Sequence, residues 1–267
     1  VSPFLPSPEY LIPFKDIPVG LEVPGRFHSP FQKQPPAIAI AAARQVQEYL
    51  TTQTDWQHNF GLAPNQKGTV IGKMFGVLVV KTKQGQIGFL AAFSGKLASS
   101  NQHAYFVPPV YDSLTQGSFL NVGMQELTRL SQAIKTLQAD STKENLGEIE
   151  LLMERRKNHS MALQEMLFDQ YHFLNRSGEE KSLRYLFQKS SGKNPPAGAG
   201  ECAAPKLLHY AFQNDLQPLA LAEFWWGLSP KSAYWEHGHF YPSCQEKCAP
   251  ILAHMLQGIE LEEPSIF

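Results

Sequence analysis

The chain has 267 residues, 43% of them hydrophobic, with 23 Lys+Arg set against 24 Asp+Glu. That length and apolar content support a folded core and exclude wholesale disorder, and the near-zero net charge excludes a global field that would draw in nucleic acid or an anionic membrane. Any RNA contact must then come from a local patch. No apolar run approaches the roughly 18 residues of a membrane helix, and the N-terminus lacks the pattern of a signal peptide, so a cytoplasmic protein with no membrane partner is expected. Three cysteines, an odd number, argue against a disulfide framework and for reduced thiols or metal ligands.

Nine of the twenty prolines fall in residues 1–36, where fixed φ angles and missing N–H groups disfavour helix and central strand. This stretch reads as an extended arm on the surface. From Ala37 the chain is rich in helix formers, with Ile40, Ala43, Val46 and Leu50 at helical spacing, which predicts an amphipathic helix over 37–52. Thr69–Val80 and Gln86–Phe93 are β-branched, apolar segments on either side of a turn containing Gly85, as in an antiparallel hairpin. Residues 94–112 read as loop.

Beyond about Leu114 the pattern becomes helical: Leu127, Leu130, Ile134 and Leu137 share one face, and Leu163, Leu167 and Leu174 continue another. Ser141 with Glu144, and Ser177 with Glu180, match the capping box that opens a helix. The expected arrangement is a helix ending near Asp140, a second from Ser141 to about Asn175, and a third after Ser177. The first two form an antiparallel hairpin projecting as an insertion. Residues 190–200 are a Gly- and Pro-rich linker, followed by helix over 205–213, buried strand over 218–226 and helix over 248–257.

The predicted organisation is therefore an arm over 1–36, a first core segment over 37–113, a helical insertion over 114–189 and a second core segment over 190–267. The fold class is α/β, a small mixed sheet with flanking helices interrupted by a long helical hairpin.

Cys202 precedes one predicted helix, and Cys244 and Cys248 flank the start of another. Helix N-termini favour the thiolate that binds metal, so the three can converge on a structural zinc, with His239, His237, His209 or Glu201 as a fourth ligand. Buried, inert thiols are the competing reading. The layout resembles that of the zinc deaminases, as does the preceding hairpin, which makes the expected fold distantly deaminase-like. In that signature a Glu follows two residues after the first ligand. Here that position is Ala204, which cannot shuttle a proton, and the second cysteine pair is spaced by three residues instead of two. Hydrolytic deamination is therefore not expected.

Arg155, Arg156 and Lys157 form a basic cluster that can meet RNA phosphates, with Lys193 and Lys206 as further candidates, although such a cluster can equally be a solvated helix face. Trp225, Trp226, Tyr234, Trp235, Phe240 and Tyr241 crowd around His237 and His239, and either stack on unpaired bases or pack among themselves. No nucleophile elbow, phosphate-cradling loop or dinucleotide fingerprint is present.

Several blocks, among them Thr54-Asp-Trp-Gln-His-Asn-Phe-Gly61, Gly88-Phe-Leu-Ala-Ala-Phe-Ser-Gly95, Phe106-Val-Pro-Pro-Val-Tyr-Asp112, Pro195-Pro-Ala-Gly-Ala-Gly-Glu-Cys202 and Gly238-His-Phe-Tyr-Pro242, resemble the N-terminal extension of bacterial Rlu-type ribosomal RNA pseudouridine synthases. The resemblance spans about Ile12 to Gly258. It implies a parent enzyme that isomerises uridine in ribosomal RNA through an aspartate in an Arg-Leu-Asp setting. The Arg-Leu pair here, Arg129-Leu130, is followed by Ser131, so no catalytic aspartate carries over. The expectation is an accessory, RNA-assisting region without the synthase active site, requiring no cofactor beyond the candidate zinc. A homodimer through the helical insertion is the structural alternative.

Overall fold

The computed structural model describes residues 8–15, 21–64, 66–139, 145–231 and 234–262. They form two compact units, residues 1–110 with 172–267, and residues 111–171.

The first unit is built on a five-stranded sheet. In chain order its elements begin with a two-residue edge strand β1 (Ile12–Pro13), helix α1 (Ala37–Thr52), and strands β2 (Lys73–Lys81) and β3 (Ile87–Phe93). The expected arm thus contributes a strand, and it does so at the sheet edge, where a proline without an N–H is tolerated. Farther along, Phe27 is buried and exchanges backbone hydrogen bonds with Glu260 and Glu262, which ties the arm to the other end of the described chain.

Within the second unit lie α2 (Phe119–Ala139) and α3 (Leu146–Phe168). The chain then rejoins the first unit through β4 (His172–Leu174), β5 (Glu180–Ser182), α4 (Leu183–Ser191), α5 (Ala203–Gln213), β6 (Gln217–Trp226), β7 (Phe240–Tyr241) and α6 (Ala249–Met255).

The order across the main sheet is β1-β3-β2-β6-β7, and each of these pairs is antiparallel. The mixed sheet expected from the element order is thereby corrected. The chain turns back after α5 at Asn214–Asp215, with Asp215 at φ 53°, and enters β6 opposite in direction to β2.

Strands β2, β3 and β6 read as apolar runs because both faces are covered. Phe75, Val77 and Val79 face α1, where Ile38, Ala39, Ala42, Ala43 and Val46 complete one core cluster. The alternation of the strand turns Gly76 to the opposite face, against α5. Phe75 lies at the centre of the first cluster, 5.7 Å from the Phe106 ring and 5.8 Å from that of Phe224. Residues 94–112 carry no helix or strand, as expected, yet Phe106 and Val107 are buried in the core.

In the second unit, Gly123 near the start of α2 meets Leu163 near the end of α3, while Ser131 meets Arg156, so the helices run antiparallel. Leu130, Ile134, Ile149, Leu163 and Phe168 are the buried apolar side chains of this pair. The unit spans 111–171, narrower than 114–189, because α3 ends at Phe168 and residues 172–189 fold with the sheet. The Ser141–Glu144 box lies outside the described residues.

Ser177 does not open a helix. It sits in the turn between β4 and β5, closed by the bonds from the Gly178 N–H to the Asn175 carbonyl and from the Asn175 N–H to the Glu179 carbonyl. The cap belongs to Ser182, whose Oγ accepts from the Tyr185 N–H at 3.3 Å. No helix among the described residues is long and apolar enough to cross a membrane.

Candidate metal centre

Two helix starts bring the cysteines together. Cys202 is the N-cap of α5, reached through Gly198 and Gly200 at φ 76° and 90°, conformations in which a side chain would be strained. Cys248 is the N-cap of α6, and Cys244 opens the turn that leads into it. Helix α5 seats close to the sheet because Gly76 has no side chain; a Cβ there would lie 2.9 Å from that of Ala203.

The three sulfurs lie within 4.8 Å of one another, with Cys244 and Cys248 at 3.3 Å. Cys248 is buried, Cys202 half-buried and Cys244 exposed. Hydrogen bonds from the Cys202 and Cys248 thiols hold Cys244 as the thiolate, with its pKa brought down to about 2 despite partial burial. Giving bonds to both Cys202 and Cys244 pushes the Cys248 thiol up, and giving one to Cys244 pushes Cys202 up against the bond it receives from Cys248; burial pushes both further. One thiolate bonded by two thiols is a site in which a soft dication can replace the shared protons. These three cysteines can therefore hold a metal ion such as zinc.

None of the four expected fourth ligands is in that group of sulfurs. His209 is buried, and its Nδ1 faces the Leu174 N–H at 3.4 Å. The His237 Nδ1 accepts from the Gly227 N–H, and its ring packs 4.3 Å from that of Trp226. His239 pairs with Glu236 at 3.1 Å, exposed to solvent. The Glu201 carbonyl accepts from the Gly95 N–H, and its charge acts on Lys73 and Lys206.

Sequence reasoning missed Glu223. It lies in β6, only 5% exposed, and its Oε2 accepts from Ser243 Oγ at 2.6 Å. Burial raises its pKa to about 7, and the Cys244 charge adds to this, while bonds from Ser243 and the Ala204 N–H oppose it. A carboxylate therefore does stand at Ala204, supplied by a strand instead of by α5 itself. The signal was a single charged residue inside the apolar run Pro218-Leu-Ala-Leu-Ala-Glu-Phe-Trp-Trp226.

The expected RNA-binding residues divide. Lys206 offers no amine at the surface: it is buried, its Nζ donates to the Phe93 carbonyl at 2.9 Å, and it lies 5.1 Å from the centre of the Phe93 ring. A buried amine is not presented at the surface, unlike the exposed cation expected for this residue. Lys193 is exposed in a groove with Phe187, Pro196 and Ala253. Arg155, Arg156 and Lys157 are exposed on α3. Arg155 pairs with Glu126 at 3.2 Å and Arg156 donates to Ser131 Oγ at 2.8 Å.

The aromatic zone mostly packs on itself. Trp225 stacks on Trp235 at 5.6 Å, Trp235 meets the edge of Tyr241 at 4.5 Å, and Tyr234 stands fully exposed.

No protein-family model, curated protein or solved structure matches the chain.

Proposed function

We propose that this chain is a zinc-binding accessory region of an RNA pseudouridine synthase, assisting RNA binding while another segment carries out the isomerisation. The observation that carries the metal half is the convergence of three cysteine sulfurs from two helix starts within 4.8 Å. Thiolate sulfur selects zinc over the hard cations that prefer oxygen. Cys202, Cys244 and Cys248 would hold the ion, and the ion would cross-link the start of α5 to the turn before α6. The ligands are separated by some forty residues of chain, including all of β6, so the link would fasten one edge of the sheet.

The parent-enzyme half is supported by the motif blocks, above all Pro195-Pro-Ala-Gly-Ala-Gly-Glu-Cys202. The RNA-facing groups are Arg155, Arg156, Lys157 and Lys193, which are exposed cations. Elemental analysis of the purified chain, kept reduced, tests the metal half: one zinc per chain is expected, lost in Cys202→Ser and Cys248→Ser, and a metal-free wild type would sink it. Mobility shifts against structured ribosomal RNA fragments test the other half. Binding that weakens steeply with salt is expected; no binding, or binding indifferent to salt, counts against it.

One observation favours a second reading, a divergent deaminase-like domain acting on a nucleobase. The Glu223 carboxylate accepts the Ala204 N–H, which puts an acid at the place where the α5 sequence lacks one. Ammonia release from cytidine or adenosine by the zinc-loaded chain would favour this reading over the first; none is expected on the accessory reading.

A further inference from the structure

Zinc takes four donors, and the cysteines provide three. Among the described residues no histidine or further acid joins the three sulfurs within 4.8 Å. The side chain bordering them is Glu223, whose position is set from both sides of the cluster. It accepts at 2.6 Å from the hydroxyl of Ser243, the residue before Cys244, and from the N–H of Ala204, two residues after Cys202. Its charge acts on Cys202 and Cys248, and the Cys244 charge acts on it in turn.

Direct ligation by Glu223 conflicts with this geometry. Its oxygens are outside the 4.8 Å group, and one of them is already held by the Ser243 hydroxyl. Ligation would also place a carboxylate beside three thiolates on one dication, a doubly negative buried centre, which low dielectric penalises. A neutral donor in the fourth position leaves a single excess negative charge. The buried Lys206, one turn along α5 from Cys202, offsets that charge. An ionised carboxylate offers about four lone-pair sites. Ser243 and Ala204 occupy only part of that capacity.

We propose that the fourth position of the metal site belongs to an exchangeable solvent molecule, oriented by a hydrogen bond to Glu223, so that the centre accepts a small exogenous donor. This inference rests on the metal reading above. Exposed Cys244 marks the side from which such a donor enters. Glu223 is then a positioning residue.

The test uses the full chain loaded with cobalt(II) in place of zinc, whose visible bands report donor type and number. Azide is titrated into wild type, Glu223→Gln and Glu223→Ala, and X-ray absorption is recorded on the zinc form of wild type. The expected result is three sulfur neighbours and one lighter one, with cobalt bands that azide shifts saturably. Removing an orienting partner typically changes metal-site affinity by about 10-fold or more, and a change of that size in the azide dissociation constant is expected for both variants. Cobalt bands indifferent to azide, or an azide constant unmoved by substitution, would overturn the inference while leaving zinc binding intact. A wild type that takes up no metal would instead overturn the metal reading itself. If Glu223→Ala does not fold, the nearly isosteric Glu223→Gln and the wild-type spectra still decide.

Discussion

Replacing Lys206 by Met removes a charge from the interior while keeping an unbranched side chain of similar length. In the folded chain the ammonium is 3% exposed, and burial brings its pKa from 10.5 down to about 8, with Glu201 and Cys202 partly opposing. On unfolding it returns to its ordinary value. The gap between the two values corresponds to roughly 3 kcal/mol. Below the folded value both states hold the proton, and the folded chain bears the full cost of a buried charge. Between about pH 8 and pH 10.5 the folded chain sheds the proton that the unfolded chain retains, so this group makes stability rise with pH. Above that window both states are neutral.

The Met variant has no such dependence. Around pH 7 it is relieved of roughly 3 kcal/mol of charge burial but leaves the Phe93 carbonyl without its donor, a loss of about 1–3 kcal/mol. The cleaner observable is the difference in unfolding free energy between variant and wild type, which should move in favour of wild type by roughly 3 kcal/mol between about pH 7 and pH 10.5. Urea titrations followed by tryptophan fluorescence, with chelator and reductant present, give that difference and largely cancel the thiol titrations common to both chains. A difference that stays flat across the window would mean that Lys206 is not held where the structure places it.

Gly76→Ala forces the α5 backbone away from β2, because the new Cβ meets Ala203 at 2.9 Å and Leu207 at 3.2 Å. Calorimetry should show a loss of about 1–3 kcal/mol, and zinc affinity should fall with it. Stripping the metal should lower the thermal midpoint, since free metal at about 1,000 times its dissociation constant stabilises by roughly 4 kcal/mol. Cys248→Ser should abolish the difference between loaded and stripped chains. Arg155→Ala with Lys157→Ala should leave the thermal midpoint unchanged while lowering the log–log salt slope of RNA binding by about 1 for each phosphate no longer neutralised. Lys206→Met should leave RNA affinity untouched.

Much of the local structure is legible in the sequence. The helix over 37–52 appears at the expected residues, and the strands over 73–81, 87–93 and 217–226 lie within a few residues of their expected bounds. Helix periodicity and β-branched runs act locally and survive without knowledge of partners. Ser177 shows the limit of a short motif: Ser-x-x-Glu fits a helix start, but Asn175 and Glu179 close a hairpin there, and the true cap falls at Ser182. Lys206 shows another limit. A lysine in an otherwise apolar helix start reads as surface charge because periodicity cannot reveal that α5 is covered on nearly every side.

By itself the sequence determined the element types and the presence of three thiols beside helix starts, because both depend on residues near one another in the chain. Only the tertiary structure decided that the sheet is antiparallel, that the sulfurs converge, and that Glu223 borders them. Strand direction and the meeting of residues 202, 223 and 244 are set by packing between segments far apart in sequence. No local pattern encodes which buried strand will carry its one carboxylate to the end of another segment's helix.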